Sequence, residues 1–208
     1  MPNSRELTRL SAGRWLIPLL ALAGAGHGLR FAEAVRQLGL ARGVARAGLD
    51  ALIAGGWLVR NPGHGHPLRP EYLLTGQGKV LGAWSEAVMA ARAELGLAPE
   101  ALTRWTLPLV DALSGGEARF GELATALAPV SPRALSLTMK AALAERLVSR
   151  RLEASFPPVP VYALTTRGQR LALALSPPGG RSRGGGQGRG PGVPGTAASR
   201  PGNRAPRG

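Results

Sequence analysis

The chain has 208 residues, and its 26 lysines and arginines against 12 aspartates and glutamates give a formal charge of +14 at neutral pH. This excess of positive charge favours a polyanionic partner, with nucleic acid as the first candidate. The absence of cysteine excludes disulfides, zinc ribbons and thiol redox sensing and fits the reducing cytoplasm, and no apolar stretch reaches the roughly 18 residues of a membrane span.

The apolar spacing of the first part of the chain predicts helix, turn, helix, turn, helix, two short strands and a final helix. Because a proline inside a helix costs about 3 kcal/mol, the first helix is expected to start close to Pro18 or to kink there. The third helix is predicted over 41–54, where Gly55 and Gly56 end it. Strands at 57–60 and 71–74 then form a wing.

The segment after this wing is predicted to be a long helix with one apolar side. Its apolar residues follow three- and four-residue spacing, and Gly96 ends it: Leu81, Trp84, Val88, Ala91 and Leu95. Such a seam needs a helical partner. We expect the partner to come from the second half of the same chain, as an intrachain pseudo-dimer, and a homodimer through the same seam is the alternative.

The whole pattern recurs about 90 residues later. Trp15 and Trp105 match at a spacing of 90 residues. From Arg30 and Arg119 onward the matching residues are 89 apart, including Leu58 with Leu147 and Val59 with Val148. At Tyr72 and Tyr162 the spacing is 90 again. We place both one-residue slips in loops rich in glycine, proline or histidine. In the second copy, Ser131 and Pro132 start a third helix that runs to about Ala144, and strands follow at 147–151 and 161–164.

Five short segments of the second copy carry a recognisable pattern: residues 104–107, 119–123, 130–136, 147–148 and 157–165, with Gly168 after them. In these segments the second copy resembles the HxlR family of bacterial winged-helix regulators. It implies sequence-specific DNA binding, regulation of transcription and, for members with a single unit, homodimerisation. The first copy looks like a diverged version whose third helix is closer to the general MarR-type pattern. This chain has Arg146 where the family pattern has a glycine.

In a helix-turn-helix, the second helix of the motif enters the major groove and presents its first turns to the bases. We expect the third helix of the second copy to face DNA with Arg133, Ser136, Leu137 and Lys140. In the first copy we expect Arg42, Ala45 and Arg46. Basic wing residues suit phosphates or a minor groove: Arg60, Arg69, Arg150 and Arg151. A solvated surface without a DNA role is the alternative for both sets.

Other candidate sites are weak. Aromatic residues recur at matching positions and are interpreted as core, not as base-stacking platforms: Trp15, Trp105, Phe31, Phe120, Tyr72 and Tyr162. His64 and His66 offer only two ligands with no nearby acid or cysteine, so neither a metal site nor a cofactor is expected. The glycine-rich run at 184–190 lacks the features of a phosphate loop. The sequence shows neither a nucleophile with a nearby base nor a pair of carboxylates, so we do not expect an enzyme.

The sequence therefore predicts a mostly α protein with small β wings, built from tandem winged helix-turn-helix units. The expected organisation is unit 1 at 1–88, a connecting segment at 89–98, unit 2 at 99–175 and a disordered tail of glycine, proline and arginine at 176–208. The expected function is a cytoplasmic transcriptional regulator that binds double-stranded DNA. A winged-helix adaptor for proteins and a non-specific chromosome-associated protein are the alternatives.

Overall fold

The computed structural model describes residues 2–61, 70–98, 101–154, 156 and 158–176. Several predictions lie outside these residues: the wing arginine Arg69, the pair His64 and His66, the glycine-rich run at 184–190 and the tail after Ser176. Within the described residues the chain is mostly helical and contains two small antiparallel sheets, as the sequence predicts.

The first half contains the predicted helices and wing, together with two elements that were not predicted. Its elements are α1 (Ser4–Ser11), α2 (Leu16–Ala25), β1 (Leu29–Arg30), α3 (Phe31–Leu38), α4 (Arg42–Ala54), β2 (Leu58–Asn61), β3 (Glu71–Leu74) and α5 (Gly76–Glu94). The strands lie in the order β1, β3, β2. The unpredicted elements are α1 and β1. A capping box starts α1, because Asn3 and Glu6 each accept the backbone N–H of the other at 2.9 Å.

The second half repeats the order of elements from α2 onward. It contains α6 (Thr106–Leu113), β4 (Ala118–Arg119), α7 (Phe120–Ala126), α8 (Pro132–Ala144), β5 (Val148–Glu153), β6 (Val159–Leu164) and α9 (Thr166–Leu175). Its strands lie in the order β4, β6, β5. The predicted start and end of α8 are confirmed, and β5 and β6 are each about two residues longer at the wing tip than predicted.

The prolines of α2 and α6 lie in the first helical turn. Pro18 and Pro108 are the third residues of helices that begin at Leu16 and Thr106. The N–H groups of a first turn have no partner within the helix, so a proline there removes no helical hydrogen bond. The prediction that the helix starts close to the proline is confirmed.

One of the two one-residue changes in the spacing between the halves lies at a different place in the structure than predicted. Helices α4 and α8 both have 13 residues, and their starts lie 90 positions apart. Trp57 and Leu147 are equivalent as well, because their carbonyls accept the N–H groups of Thr75 and Thr165 at 3.1 and 3.0 Å. The predicted pairing of Leu58 with Leu147, and of Val59 with Val148, is therefore wrong by one residue. The second slip lies in the turn before the third helix, where an extra residue does not disturb the register of a sheet.

The last helix of each half begins with the same close contact to the wing. The Thr75 hydroxyl accepts the N–H of Gly78 at 3.0 Å, and a Cβ on Gly78 would lie 2.0 Å from the Trp57 carbonyl oxygen. Thr165 and Gly168 repeat this arrangement in the second half. The approach of a strand carbonyl to the first helical turn thus explains why both copies have glycine three residues after the threonine.

The helix α5 connects the two halves through one hydrophobic core. Leu81, Trp84, Val88 and Leu95 are buried, and Ala91 is partly buried against the same core. The helix packs mainly on α2 and also on α9. The repeated aromatic residues belong to this core too, either buried or packed against it, so their assignment as core is confirmed.

We expect Gly78→Ala to lower the free energy of unfolding by about 1 to 3 kcal/mol or more, because the added methyl group must displace a backbone carbonyl. Gly76→Ala is a matched control in the same helical turn, with no atom within 4 Å of its added Cβ. This control should keep or slightly raise stability. Denaturant unfolding of both full-length variants measures the difference, and equal midpoints for the two variants would contradict the packing.

Candidate nucleic-acid interface

The helix α8 has one buried side and one basic exposed side. The side chain of Ser131 accepts the N–H of Ala134 at 3.2 Å, and Pro132 occupies the first helical position, so the helix start is well defined. The buried side consists of Leu135, Thr138, Met139 and Ala142. It fixes how the helix sits on the core and therefore which side chains face solvent.

The four predicted DNA-facing residues of α8 are all exposed. Arg133, Ser136, Leu137 and Lys140 lie together on the side opposite the core, and Leu137 is 60% exposed. Leu137 therefore lies outside the buried core of the described residues. The surface thus offers two cations, a hydroxyl and an apolar group side by side, which are the groups used to contact base edges and phosphates.

The corresponding helix of the first half, α4, carries Arg42 and Arg46 on its exposed side. The guanidinium of Arg46 lies over the Phe31 ring, 5.3 Å from its centroid. The predicted exposure of Ala45 is wrong, because this residue is fully buried and is equivalent to the buried Leu135 in the correct register. Ala45 belongs to the buried side of α4, because Leu49 and Leu52 lie four and seven residues further along the helix on the same side.

The exposed sides of α4 and α8 differ in charge. In the register of the structure, Gly43 stands at the position of Arg133, and Asp50 stands at the position of Lys140. The α4 surface keeps its cations at other positions, near the start of the helix. The two helices therefore present different patterns to any common partner.

Ion pairs tie the wing arginines of the second half to nearby glutamates. Arg119 donates to Glu153 at 2.7 Å, and Arg151 forms a bidentate pair with Glu117, which precedes β4. Arg30 and Glu71 form a similar pair at 2.7 Å in the first half. Arg60 and Arg150 are exposed and have no ion pair with another described residue. Among the predicted wing residues that the structure describes, Arg60 and Arg150 thus have guanidinium groups that no described carboxylate holds, so both could bind a phosphate.

The pair between Glu117 and Arg151 also shifts their protonation. The hydrogen bond from Arg151 lowers the pKa of Glu117 below its ordinary value of 4.5, and the same contact raises the pKa of Arg151. A lowered carboxyl pKa means that the ion pair is fully formed above the ordinary value and is lost as the pH falls through the lowered one. At neutral pH, Glu117 therefore holds Arg151 and reduces the charge that the wing presents.

The sequence analysis missed these glutamates as wing residues. A possible signal was their position, since Glu117 comes directly before the Ala118–Arg119 strand and Glu153 ends β5. Large apolar side chains near the wing tip were also missed as surface groups, because Leu152 is 61% exposed and Phe156 is 102% exposed. The wing is thus both apolar and basic.

Among the described residues, no helix is long and apolar enough to cross a membrane. The same part of the chain contains no group of three or more histidine, aspartate or glutamate side chains that could hold a metal ion.

Comparison with known proteins identifies one family match and several similar structures. Residues 102–177 match the profile of the family described as HxlR-like helix-turn-helix. A protein described as a transcriptional regulator of the MarR family from Enterococcus faecalis V583 is 30% identical, over 43% of this chain and 76% of its own, with a TM-score of 0.35. The reduced form of the transcriptional regulator YodB from B. subtilis is 24% identical, over 42% of this chain and 79% of its own, also with a TM-score of 0.35. No curated protein matches the chain.

The matched residues include α6 to α9, and therefore both α8 and the wing formed by β5 and β6. The helix-turn-helix and wing of the second half thus coincide with the segment that matches the HxlR-like family, and this match supports a DNA-binding transcription regulator.

Proposed function

We propose that the chain is a sequence-specific transcriptional regulator that binds double-stranded DNA with two winged-helix units and acts in the cytoplasm. The units span 1–88 and 99–175, and residues 89–98 connect them. The observation that carries the proposal is α8, a capped helix with a basic exposed side, inside the segment that matches the HxlR-like family. No catalytic role is proposed.

The residues of α8 suit different parts of a DNA duplex. An arginine in the first turn, such as Arg133, can donate two hydrogen bonds to the O6 and N7 atoms of guanine. The apolar Leu137 can contact a thymine methyl group, and the flexible ammonium of Lys140 suits a phosphate. Arg150 on the wing suits a second phosphate. Base contacts would provide specificity and phosphate contacts would provide affinity.

The first half is proposed as a second reader in the same molecule. Its elements from α2 to α5 follow the order of α6 to α9, and α5 and α9, which hold the same place in the two halves, contact each other. Contact between equivalent elements is what a two-fold pair of units shows. We therefore propose an intrachain pseudo-dimer.

Two dissimilar helices imply two dissimilar half-sites. Helices α4 and α8 would enter successive major grooves about 34 Å apart, on an asymmetric site of roughly 20 base pairs. The difference between Asp50 in α4 and Lys140 in α8 makes the second half the stronger phosphate binder. The first half would add specificity through Arg42 and Arg46.

We expect Arg133→Ala to weaken binding to a selected duplex by about 1 to 3 kcal/mol and to relax preference at one base pair.

Arg150→Ala should weaken binding to selected and random duplexes alike and make the slope of log K against log salt shallower by about 0.9, as expected for one lost phosphate contact. Fluorescence anisotropy at several salt concentrations, with duplexes from a random-library selection, measures both effects.

Two results would contradict this function. If wild-type protein binds no duplex at low salt, or if its affinity does not depend on salt, the adaptor for proteins becomes the better explanation. If the selection yields no preferred sequence and Arg133→Ala affects all duplexes equally, the protein is a non-specific chromosome-associated protein.

We expect Glu117→Gln to tighten binding to all duplexes, because it removes the carboxylate that holds Arg151 and frees a cation for a phosphate. The salt slope should become steeper by about 0.9. Glu86→Gln on α5 is a control with the same change in net charge on an exposed residue away from the wing. If both variants bind DNA equally, net charge alone explains the effect and the ion pair does not regulate the wing.

A further inference from the structure

The wing of the second half carries an apolar tip. Phe156 is fully exposed and Leu152 is mostly exposed, although both side chains are large and apolar. Both lie in the hairpin that β5 and β6 form, and neither packs against the hydrophobic core of the described residues. Exposed apolar surface is removed from water favourably. The ring of Phe156 is therefore available to a partner and has no structural role in the core.

The two faces of this wing differ in charge. Alternate residues of a strand point to the same face, so Leu152 shares a face with Arg150, which has no ion pair with another described residue. Arg151 and Glu153 alternate with them on the other face, and each of these two is held in an ion pair. One face of the wing thus joins an available cation to an apolar side chain, and the other face is neutralised.

This combination suits the minor groove of DNA better than a protein surface. An aromatic side chain buries roughly 150 to 250 Å², far less than the roughly 800 Å² that each partner of a stable protein complex buries. The groove is only about 6 Å wide, which admits the narrow end of a hairpin, and phosphates border it. The net charge of +14 and the position of Arg150 beside Leu152 favour that setting.

We propose that Phe156 is an apolar wedge, which enters the minor groove beside the base pairs read by α8, separates two stacked base pairs and bends the duplex. Leu152 would line the groove behind it, and Arg150 would contact a bordering phosphate. The cost of unstacking is offset because the ring leaves water and because a bent duplex reaches more of the protein surface. The inference rests on the proposed function, since it requires a bound duplex.

The first wing has no equivalent ring in its sequence. At the spacing of 90 residues His66 corresponds to Phe156, and the segment 62–70 contains no phenylalanine, tyrosine or tryptophan. One chain therefore supplies one wedge. We expect the bend on one side of the binding site, in the half that α8 reads.

The test uses the full chain and a selected duplex in which 2-aminopurine, a base that becomes more fluorescent when it is unstacked, replaces adenine at one position after another. Wild type should raise the fluorescence at one base step. It should also bring dyes on the two duplex ends closer together, as a bend of about 20° to 90° requires.

Variants of the tip identify the source of these two signals. Phe156→Ala should lose both, whereas Phe156→Leu should keep part of both, because leucine also serves as a wedge in minor-groove proteins. Leu173→Ala is the matched control. It shortens a leucine on α9 that is 73% exposed and lies outside the wing, and it should change neither signal.

Affinity gives an independent readout of the wedge. Phe156→Ala should leave the slope of log K against log salt unchanged, because no cation is lost. Pyrimidine–purine steps such as TA unstack most readily, so the wedge should select one of them. Replacing that step should weaken binding by wild type about tenfold and leave binding by Phe156→Ala unchanged.

Three results would overturn the wedge while the proposed function stands. These are a straight duplex without an unstacked base in the wild-type complex, equal signals in wild type and Phe156→Ala, and loss of the signals in Leu173→Ala. The apolar tip would then be assigned to a protein partner. Failure of the proposed function is distinguishable, because anisotropy would show no binding to any duplex, and that result would overturn the wedge as well.

Discussion

The arrangement of this molecule depends on the apolar side of α5. Leu81, Trp84, Val88 and Leu95 require apolar neighbours, and these come from α2 in the first half and α9 in the second. The contact with α2 is close enough that a Cβ on Gly82 would lie 3.2 Å from the Cα of Gly24. Because a packed interior resists small displacements, α5 couples the halves into one core and leaves α4 and α8 as surface elements on a shared support.

On this shared support the two halves differ at the surface and share some of their internal contacts. The threonine and glycine at the start of the last helix recur in both halves, because a strand carbonyl approaches the helix there. The exposed positions carry no such constraint. Asp50 in α4 stands at the position of Lys140 in α8, so the exposed sides of the two helices differ in charge.

The sequence predicted what local chemistry determines. The start of α8 follows from Ser131 and Pro132, the wing follows from two apolar runs around a turn, and the recurrent aromatics identify the core. Helix α1 was not predicted, although Asn3 and Glu6 have the spacing of a capping box, because its sequence contains no apolar run that would indicate a helix. Ala45 was misplaced because alanine occurs on both buried and exposed sides of helices, although its spacing to Leu49 and Leu52 places it on the buried side. The pairing of Arg151 with Glu117 joins residues far apart in sequence, so only the sheet register reveals it.

We propose that one chain supplies both DNA-reading helices. Light scattering coupled to size-exclusion chromatography, on the free protein and on its complex with a selected duplex, tests this most directly through the molar mass. We predict a free chain of 21.5 kDa and a complex that contains one such chain on one asymmetric site. A free dimer of twice that mass, or two chains on a palindromic site, would show that the seam of α5 serves a homodimer and would contradict the account.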